Sequence, residues 1–242
     1  MTSRQLVALQ FAYHDSSYHD NLFRLITLIK RSDEDAIVLA PELCLTNFSY
    51  AQMDEAVAFS EAALREILPL SKNRIIAFSL IQKREGKFYN TALILHDEKI
   101  IHTQDKVKLF KFGQEDDYFE AGDTKKIKIV EIDGLRVAIL ICFEIRFTQL
   151  WDLIKGADII MIPALWGKLR KSHFESITTA MAILNQAFVI AANSAQEDMA
   201  SASGIITPFG EAYRDDSQAF IALKADLKEI KKMRRYMDIG LS

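Results

Sequence analysis

The amino-acid sequence predicts an α/β fold built from layers of sheet and helix. Short apolar runs alternate along the chain with segments in which apolar residues recur every three or four positions, and this alternation is typical of α/β proteins. Several runs are apolar throughout, which indicates sheets covered on both faces. The 4 prolines and 9 glycines are scattered and mark no linker, so we expect one domain over residues 1–242.

The first half of the chain begins with an apolar run and then a clear helical pattern. Leu22, Leu25 and Ile29 would share one face of a helix over residues 20–30. Gly86 lies between two apolar runs and indicates a turn that joins a pair of strands. The predicted elements are a strand at 6–13, a helix at 20–30, a strand at 36–40, a helix at 55–68, and strands at 74–82, 88–96 and 99–104.

The second half contains a hairpin signal and a helix stop signal. Asp133-Gly134 separates two apolar runs and is typical of a tight hairpin turn. Gly156 is expected to end a helix. The predicted elements are hairpin strands at 127–132 and 135–142, a helix at 147–155, a strand at 159–164, a helix at 172–185, and strands at 188–193, 203–207 and 219–223.

Composition narrows the class of protein. The net charge is −3 and no basic stripe indicates nucleic-acid binding. No apolar stretch approaches the roughly 18 residues of a membrane span, and the first residues lack a signal-peptide core, so we expect a cytoplasmic protein without a membrane partner. Only two cysteines occur, Cys44 and Cys142, which argues against a disulfide framework.

Three reactive residues follow strand-like runs. Glu42 follows the run 36–41, Lys106 follows 100–105, and Cys142 ends 136–141. An acid, an amine and a thiol at strand ends can share one pocket, where they would support nucleophilic attack on a carbon–nitrogen bond. Each has an ordinary alternative: an inert buried cysteine, a solvated loop acid and a solvated lysine.

Cys142 lies where an apolar run gives way to a polar, helix-like segment. At such a junction we expect an exposed thiol near helix-terminal N–H groups, which lower a thiol pKa. Cys44 lies two residues after Glu42 and is not expected to be the nucleophile.

Several sequence blocks resemble the nitrilase, or carbon–nitrogen hydrolase, superfamily, and its amidase-like branch in particular. The three main blocks agree in order and spacing: 41–46 (PELCLT), 106–110 (KVKLF) and 142–147 (CFEIRF). The supporting blocks are 115–122 (EDDYFEAG), 156–160 (GADII), 163–166 (PALW), 185–193 (NQAFVIAAN) and 203–210 (SGIITPFG). The resemblance extends over nearly the whole chain.

The resemblance implies a four-layer αββα sandwich, a Glu–Lys–Cys triad and a homodimer or higher homo-oligomer. Glu42 would be the general base, Cys142 the nucleophile, and Lys106 the stabiliser of the oxyanion together with the backbone N–H of Phe143. Glu115 matches a second family glutamate that positions the amide or assists proton transfer; a solvated acid is its alternative. The implied reaction cleaves a small linear amide to acid and ammonia through a thioester.

Two further residues are candidate substrate contacts. Arg146 lies four residues after Cys142, where some family members bind a substrate carboxylate, and a guanidinium suits that task. A structural ion pair is an equal alternative. Trp166 would line the pocket, although a core aromatic is the more common outcome for such a residue.

Some positions depart from the family pattern, and the reaction has rivals. Glu144 replaces a common Asp, and Met181 and Leu184 replace a polar pair, which puts a buried ion pair in doubt. The same triad serves N-carbamoyl amidases and nitrilases, and a non-catalytic binding member of the fold is the alternative from another class. No histidine spacing indicates a metal site, and no glycine-rich loop indicates a nucleotide, so we expect no cofactor.

Overall fold

The computed structural model describes residues 3–14 and 17–241, which form two six-stranded sheets with helices outside them. The strands are β1 (Ser3–Leu9), β2 (Ile37–Leu39), β3 (Ile75–Arg84), β4 (Lys87–His96), β5 (Lys99–Asp105), β6 (Val130–Ile132), β7 (Leu135–Ile139), β8 (Ile159–Pro163), β9 (Phe188–Ala192), β10 (Gly204–Ile206), β11 (Ala212–Arg214) and β12 (Phe220–Asp226). The α-helices are α1 (Tyr18–Lys30), α2 (Met53–Ile67), α3 (Glu115–Tyr118), α4 (Thr148–Trp151), α5 (Lys171–Asn185) and α6 (Lys228–Tyr236).

The first sheet has the order β12-β1-β2-β3-β4-β5, and its central strands are buried on both faces. Leu6 and Ala8 of β1 pack toward the second sheet, whereas Val7 and Leu9 pack in the cluster that contains α1 and α2. Successive side chains of a strand point to opposite faces, so a strand covered on both sides must be apolar throughout. This is why the apolar runs of this half show no alternation with polar residues.

The second sheet has the order β11-β10-β9-β8-β7-β6, with β7, β8 and β9 parallel. The predicted hairpin is confirmed: β6 and β7 pair across Asp133 and Gly134, whose φ values of 53° and 74° are those of a tight two-residue turn. The inner faces of the two sheets share one apolar core. The four-layer αββα sandwich is therefore confirmed.

Four details differ from the sequence expectations. The first strand ends at Leu9 rather than residue 13, because its partner β12 begins at Phe220, directly opposite Leu9. The helix expected over 147–155 is divided into α4 and a 3₁₀ turn, Asp152–Ile154, which ends before Gly156 at φ 94°. The short strand β11 was not predicted, because its residues are largely exposed and carry no apolar pattern. The helical turn α3 lies in a segment for which no helix or strand was predicted.

Within residues 3–14 and 17–241, no helix has the length and apolar character needed to cross a membrane.

Candidate active site

The ends of strands from both sheets bring three of the predicted site residues together. Glu42 follows β2, Lys106 directly follows β5, and Cys142 follows β7. Lys106 Nζ donates a hydrogen bond of 2.8 Å to Glu42 Oε1, and both side chains are fully buried. The solvated alternatives for Glu42 and Lys106 are therefore wrong.

The Glu42 carboxylate is held by three donors. Besides Lys106, Asn90 Nδ2 donates to Oε1 at 2.7 Å, and the backbone N–H of Leu165 donates to Oε2 at 3.1 Å. A buried carboxylate needs such partners, because an unpaired charge in the protein interior is costly. Sequence reasoning missed Asn90, whose only signal is an amide side chain inside the apolar strand β4.

Lys106 also binds Glu115, which begins α3 and is 2% exposed. Lys106 Nζ lies 2.6 Å from Glu115 Oε1, while Glu115 Oε2 accepts a 3.0 Å hydrogen bond from the Phe110 N–H. Burial by itself would lower the pKa of Lys106, but the charges of Glu42 and Glu115 outweigh it and raise that pKa. Lys106 thus stays cationic, and the solvated alternative for Glu115 is wrong.

Burial raises the pKa of the Glu115 carboxyl, and the adjacent positive charge of Lys106 opposes that rise. The negative charge of Glu42 adds to it, since two carboxylates then share one cation. Lys106 carries three N–H bonds, of which two are directed to these carboxylates. One donor therefore remains for another oxygen.

Cys142 occupies a strained turn at the end of the strand. Its φ of 48° lies in the left-handed region, and it begins the 3₁₀ helix Cys142–Arg146. The side chain is 7% exposed, and burial, followed by the charge of Glu42, raises the thiol pKa well above its usual range. Lys106 and the Leu165 N–H act in the opposite direction.

The expectation of an exposed thiol with a lowered pKa is therefore wrong. Cys142 is almost completely buried, so the loss of hydration outweighs the effect of the nearby N–H group and of Lys106 on the thiol pKa. Cys44 is 1% exposed, and burial raises the pKa of its thiol to about 12.

Glu144 connects the segments that carry Lys106 and Cys142. One carboxyl oxygen accepts from the N–H of Val107 and the other from the N–H of Ile141, each at 2.6 Å. Burial raises the pKa of Glu144 to about 7, although both hydrogen bonds act to lower it. The Glu at this position, where the family commonly has Asp, thus joins two segments of the site.

A cavity of about 370 Å³ opens beside Cys142. It contains all three residues predicted as substrate contacts, together with further aromatic residues and a second arginine that the sequence analysis missed. Its lining residues are Phe110, Phe112, Cys142, Phe143, Arg146, Leu165, Trp166 and Arg170. A larger basic groove of about 1010 Å³ lies beside α6, and none of Glu42, Lys106 and Cys142 lines it.

Arg146 and Trp166 form one side of this cavity. The Arg146 guanidinium lies 4.7 Å above the Trp166 ring, and Arg146 Nη2 is 3.1 Å from His173 Nδ1. Within the described part of the chain Arg146 forms no ion pair with a carboxylate, so the structural ion-pair alternative finds no support. Trp166 is 4% exposed and is both a core aromatic and a cavity wall.

The helix α5 carries Met181 and Leu184 at the positions where the family commonly has a polar pair. Met181 is buried in the core, whereas Leu184 is 61% exposed. Among residues 3–14 and 17–241, no three His, Cys, Asp or Glu side chains are grouped closely enough to hold a metal ion.

Comparison with known proteins identifies the class. The family model described as carbon-nitrogen hydrolase matches residues 3–229, and the chain belongs to this family. The chain is 29% identical to the 2-oxoglutaramate amidase of Bacillus subtilis strain 168, over 96% of this chain and 94% of that protein. It is also 29% identical to omega-amidase YafV of Escherichia coli strain K12, over 73% of this chain and 70% of that protein.

A solved structure gives the same fold. Saccharomyces cerevisiae Nit3, a member of the nitrilase superfamily, superimposes with a TM-score of 0.84 at 20% identity, over 99% of this chain and 96% of that chain. The family and its named amidase relatives thus identify the protein as an enzyme, a carbon–nitrogen hydrolase of the amidase kind.

Proposed function

We propose that the enzyme hydrolyses a small linear amide that carries a carboxylate, releasing ammonia through a thioester on Cys142. The observation that carries this proposal is the cavity in which the Cys142 thiol and the Arg146 guanidinium face one ligand-sized space. Two relatives whose names specify a 2-oxoglutaramate amidase and an omega-amidase support a substrate of this kind.

In the proposed first step, Glu42 takes the thiol proton as Cys142 Sγ bonds to the amide carbon. A resting thiolate is disfavoured because the thiol pKa is raised, so proton transfer accompanies attack rather than preceding it. The Glu42 carboxylate is suited to this task, because its three donors fix its orientation. The carbon–nitrogen bond then breaks, and the protonated Glu42 returns the proton to the departing ammonia.

The oxyanion of the tetrahedral intermediate receives two donors in this scheme. One is the third N–H of Lys106, and the other is the backbone N–H of Phe143, in the first turn of a helix where N–H groups lack a helical carbonyl partner. Glu115 holds Lys106 from the other side and assists in positioning the amide. Water then attacks the thioester carbon while Glu42 takes its proton. The sulfur–carbon bond breaks, the acid is released, and Glu42 returns the proton to the Cys142 sulfur.

The direct test is ammonia release from a panel of ω-amides, N-carbamoyl compounds and nitriles. We expect the highest kcat/KM for a short monoamide such as succinamate, in which a carboxylate lies at the end opposite the amide. Preference for an N-carbamoyl compound or a nitrile would contradict the proposal.

Arg146 provides a sharper test within that panel. Succinamate and butyramide have equal chain length and differ in a carboxylate or a methyl group at the far end. Loss of a charge-assisted partner should cost about 1.5–3 kcal/mol, roughly tenfold to hundredfold. We expect Arg146→Ala to reduce kcat/KM for succinamate by this factor and to spare butyramide. Equal losses for both amides, with the protein folded, would make Arg146 structural.

A homodimer and a cytoplasmic location remain part of this proposal. Exposed Ile183 and Leu184 on α5 support association with a second copy, since apolar surface of this kind favours burial. Two unpaired cysteines suit a reducing compartment. Sedimentation velocity and cell fractionation test the two statements separately.

A further inference from the structure

Arg170 is the second cationic residue that lines the cavity beside Cys142, and no sequence motif indicates this position. It lies in the basic run 167–171, which has the character of a solvated turn. In the structure it ends the 3₁₀ helix Lys168–Arg170, and its guanidinium lies 5.3 Å above the Phe110 ring. Gly167 leaves room for it, because a Cβ there would come within 3.0 Å of Arg170 Nη2.

Neither arginine of the cavity is neutralised by a carboxylate of the described residues. In residues 3–14 and 17–241, no Asp or Glu forms an ion pair with Arg146 or Arg170, and the Arg170 guanidinium makes no hydrogen bond. The two guanidinium groups are close enough for their positive charges to repel each other. The pKa of Arg146 is lowered first by burial and then by the charge of Arg170.

The remaining walls of the cavity explain why this arrangement calls for a ligand. Phe110, Phe112, Phe143 and Trp166 are aromatic and offer no acceptor oxygen on their side chains. Two like charges beside apolar walls repel each other, and a carboxylate placed between them would offset that repulsion. A guanidinium fork matches the two oxygens of a carboxylate, and two forks match it better than one.

We propose that Arg170 is a specificity-determining residue that binds, together with Arg146, the carboxylate of the amide substrate. This inference rests on the proposed function and adds a second anion contact from a different segment of the chain. The carboxylate would be held between the helix that follows Cys142 and the turn that follows Trp166. The bound amide would then extend from the two arginines toward the thiol.

The test uses Arg170→Met, which keeps an unbranched apolar stem at this position but removes the guanidinium and its charge. We expect kcat/KM for succinamate to fall by about tenfold or more, mainly through KM, whereas kcat/KM for butyramide changes little. Arg170→Lys should recover part of the loss, because the charge returns without the fork. Lys168→Met is the matched control on the same turn and should leave both substrates unaffected.

Equal losses for succinamate and butyramide, or no loss for either, would overturn the assignment. Binding of both amides to Cys142→Ala, with and without Arg170→Met, gives a readout independent of turnover. A selective loss of succinamate affinity supports the inference, and unchanged affinity overturns it. Absence of ammonia release by the wild-type enzyme from any carboxylate-bearing amide would instead reject the proposed function, while the binding measurement still decides the role of Arg170.

Discussion

At the residue scale, the two cysteines differ in their access to the cavity. Both thiols are buried and have raised pKa values, but only one of them lines the cavity. Cys142 lines it, whereas Cys44 is 1% exposed and packs in the apolar cluster that contains α1 and α2. We therefore expect limiting iodoacetamide to modify Cys142 first, with activity lost in proportion. Peptide mapping measures this order, and Cys44→Ala should retain both labelling and activity. Preferential modification of Cys44 with loss of activity would reverse the assignment.

The site residues that could be predicted from the sequence stand out in their local sequence, whereas those that were missed depend on contacts with distant parts of the chain. Glu42, Lys106 and Cys142 each stand out locally, since a reactive group follows an apolar run. Asn90 and Arg170 acquire their importance only from partners far along the chain, such as Glu42 for Asn90 and the cavity wall for Arg170. The raised thiol pKa was missed for the same reason, because burial depends on the packing of both sheets.

At the scale of an element, the turn at Cys142 stores backbone strain. A non-glycine residue at φ 48° is disfavoured by about 1 kcal/mol relative to glycine. We expect Cys142→Gly to be more stable than Cys142→Ala by about that amount, the reverse of the order in a regular helix or strand. Urea unfolding of the two variants measures the difference. Greater stability of the alanine variant would mean that the turn is relaxed.

Most strands and helices were predictable because their apolar patterns are local. The hairpin at Asp133-Gly134 and the helix α1 followed directly from turn chemistry and periodicity. The end of β1 was not predictable, since it is fixed by where β12 begins to pair. The strand β11 was not predictable either, because its exposed residues carry no pattern and only pairing with β10 defines it.

At the scale of the whole molecule, Glu144 couples stability to pH. Its pKa is about 7 in the folded protein and 4.5 ordinarily, so the folded state binds more protons between these pH values. The free energy of unfolding therefore falls as pH rises through this window, to the extent that Glu144 contributes. We expect Glu144→Gln to reduce this fall in urea titrations at several pH values. Glu131→Gln, at an exposed residue of β6, is the control and should leave the fall unchanged. An identical pH dependence in wild type and Glu144→Gln would contradict the assignment.

The nucleophile is tested most directly by ammonia release from the Cys142→Ala enzyme, with Cys44→Ala as the matched control. Circular dichroism and urea unfolding establish that both variants are folded. Removal of a nucleophile that acts with its base as a unit should reduce kcat by at least about a thousandfold. We predict that loss for Cys142→Ala and near wild-type turnover for Cys44→Ala. Undiminished ammonia release by folded Cys142→Ala would contradict the thioester mechanism.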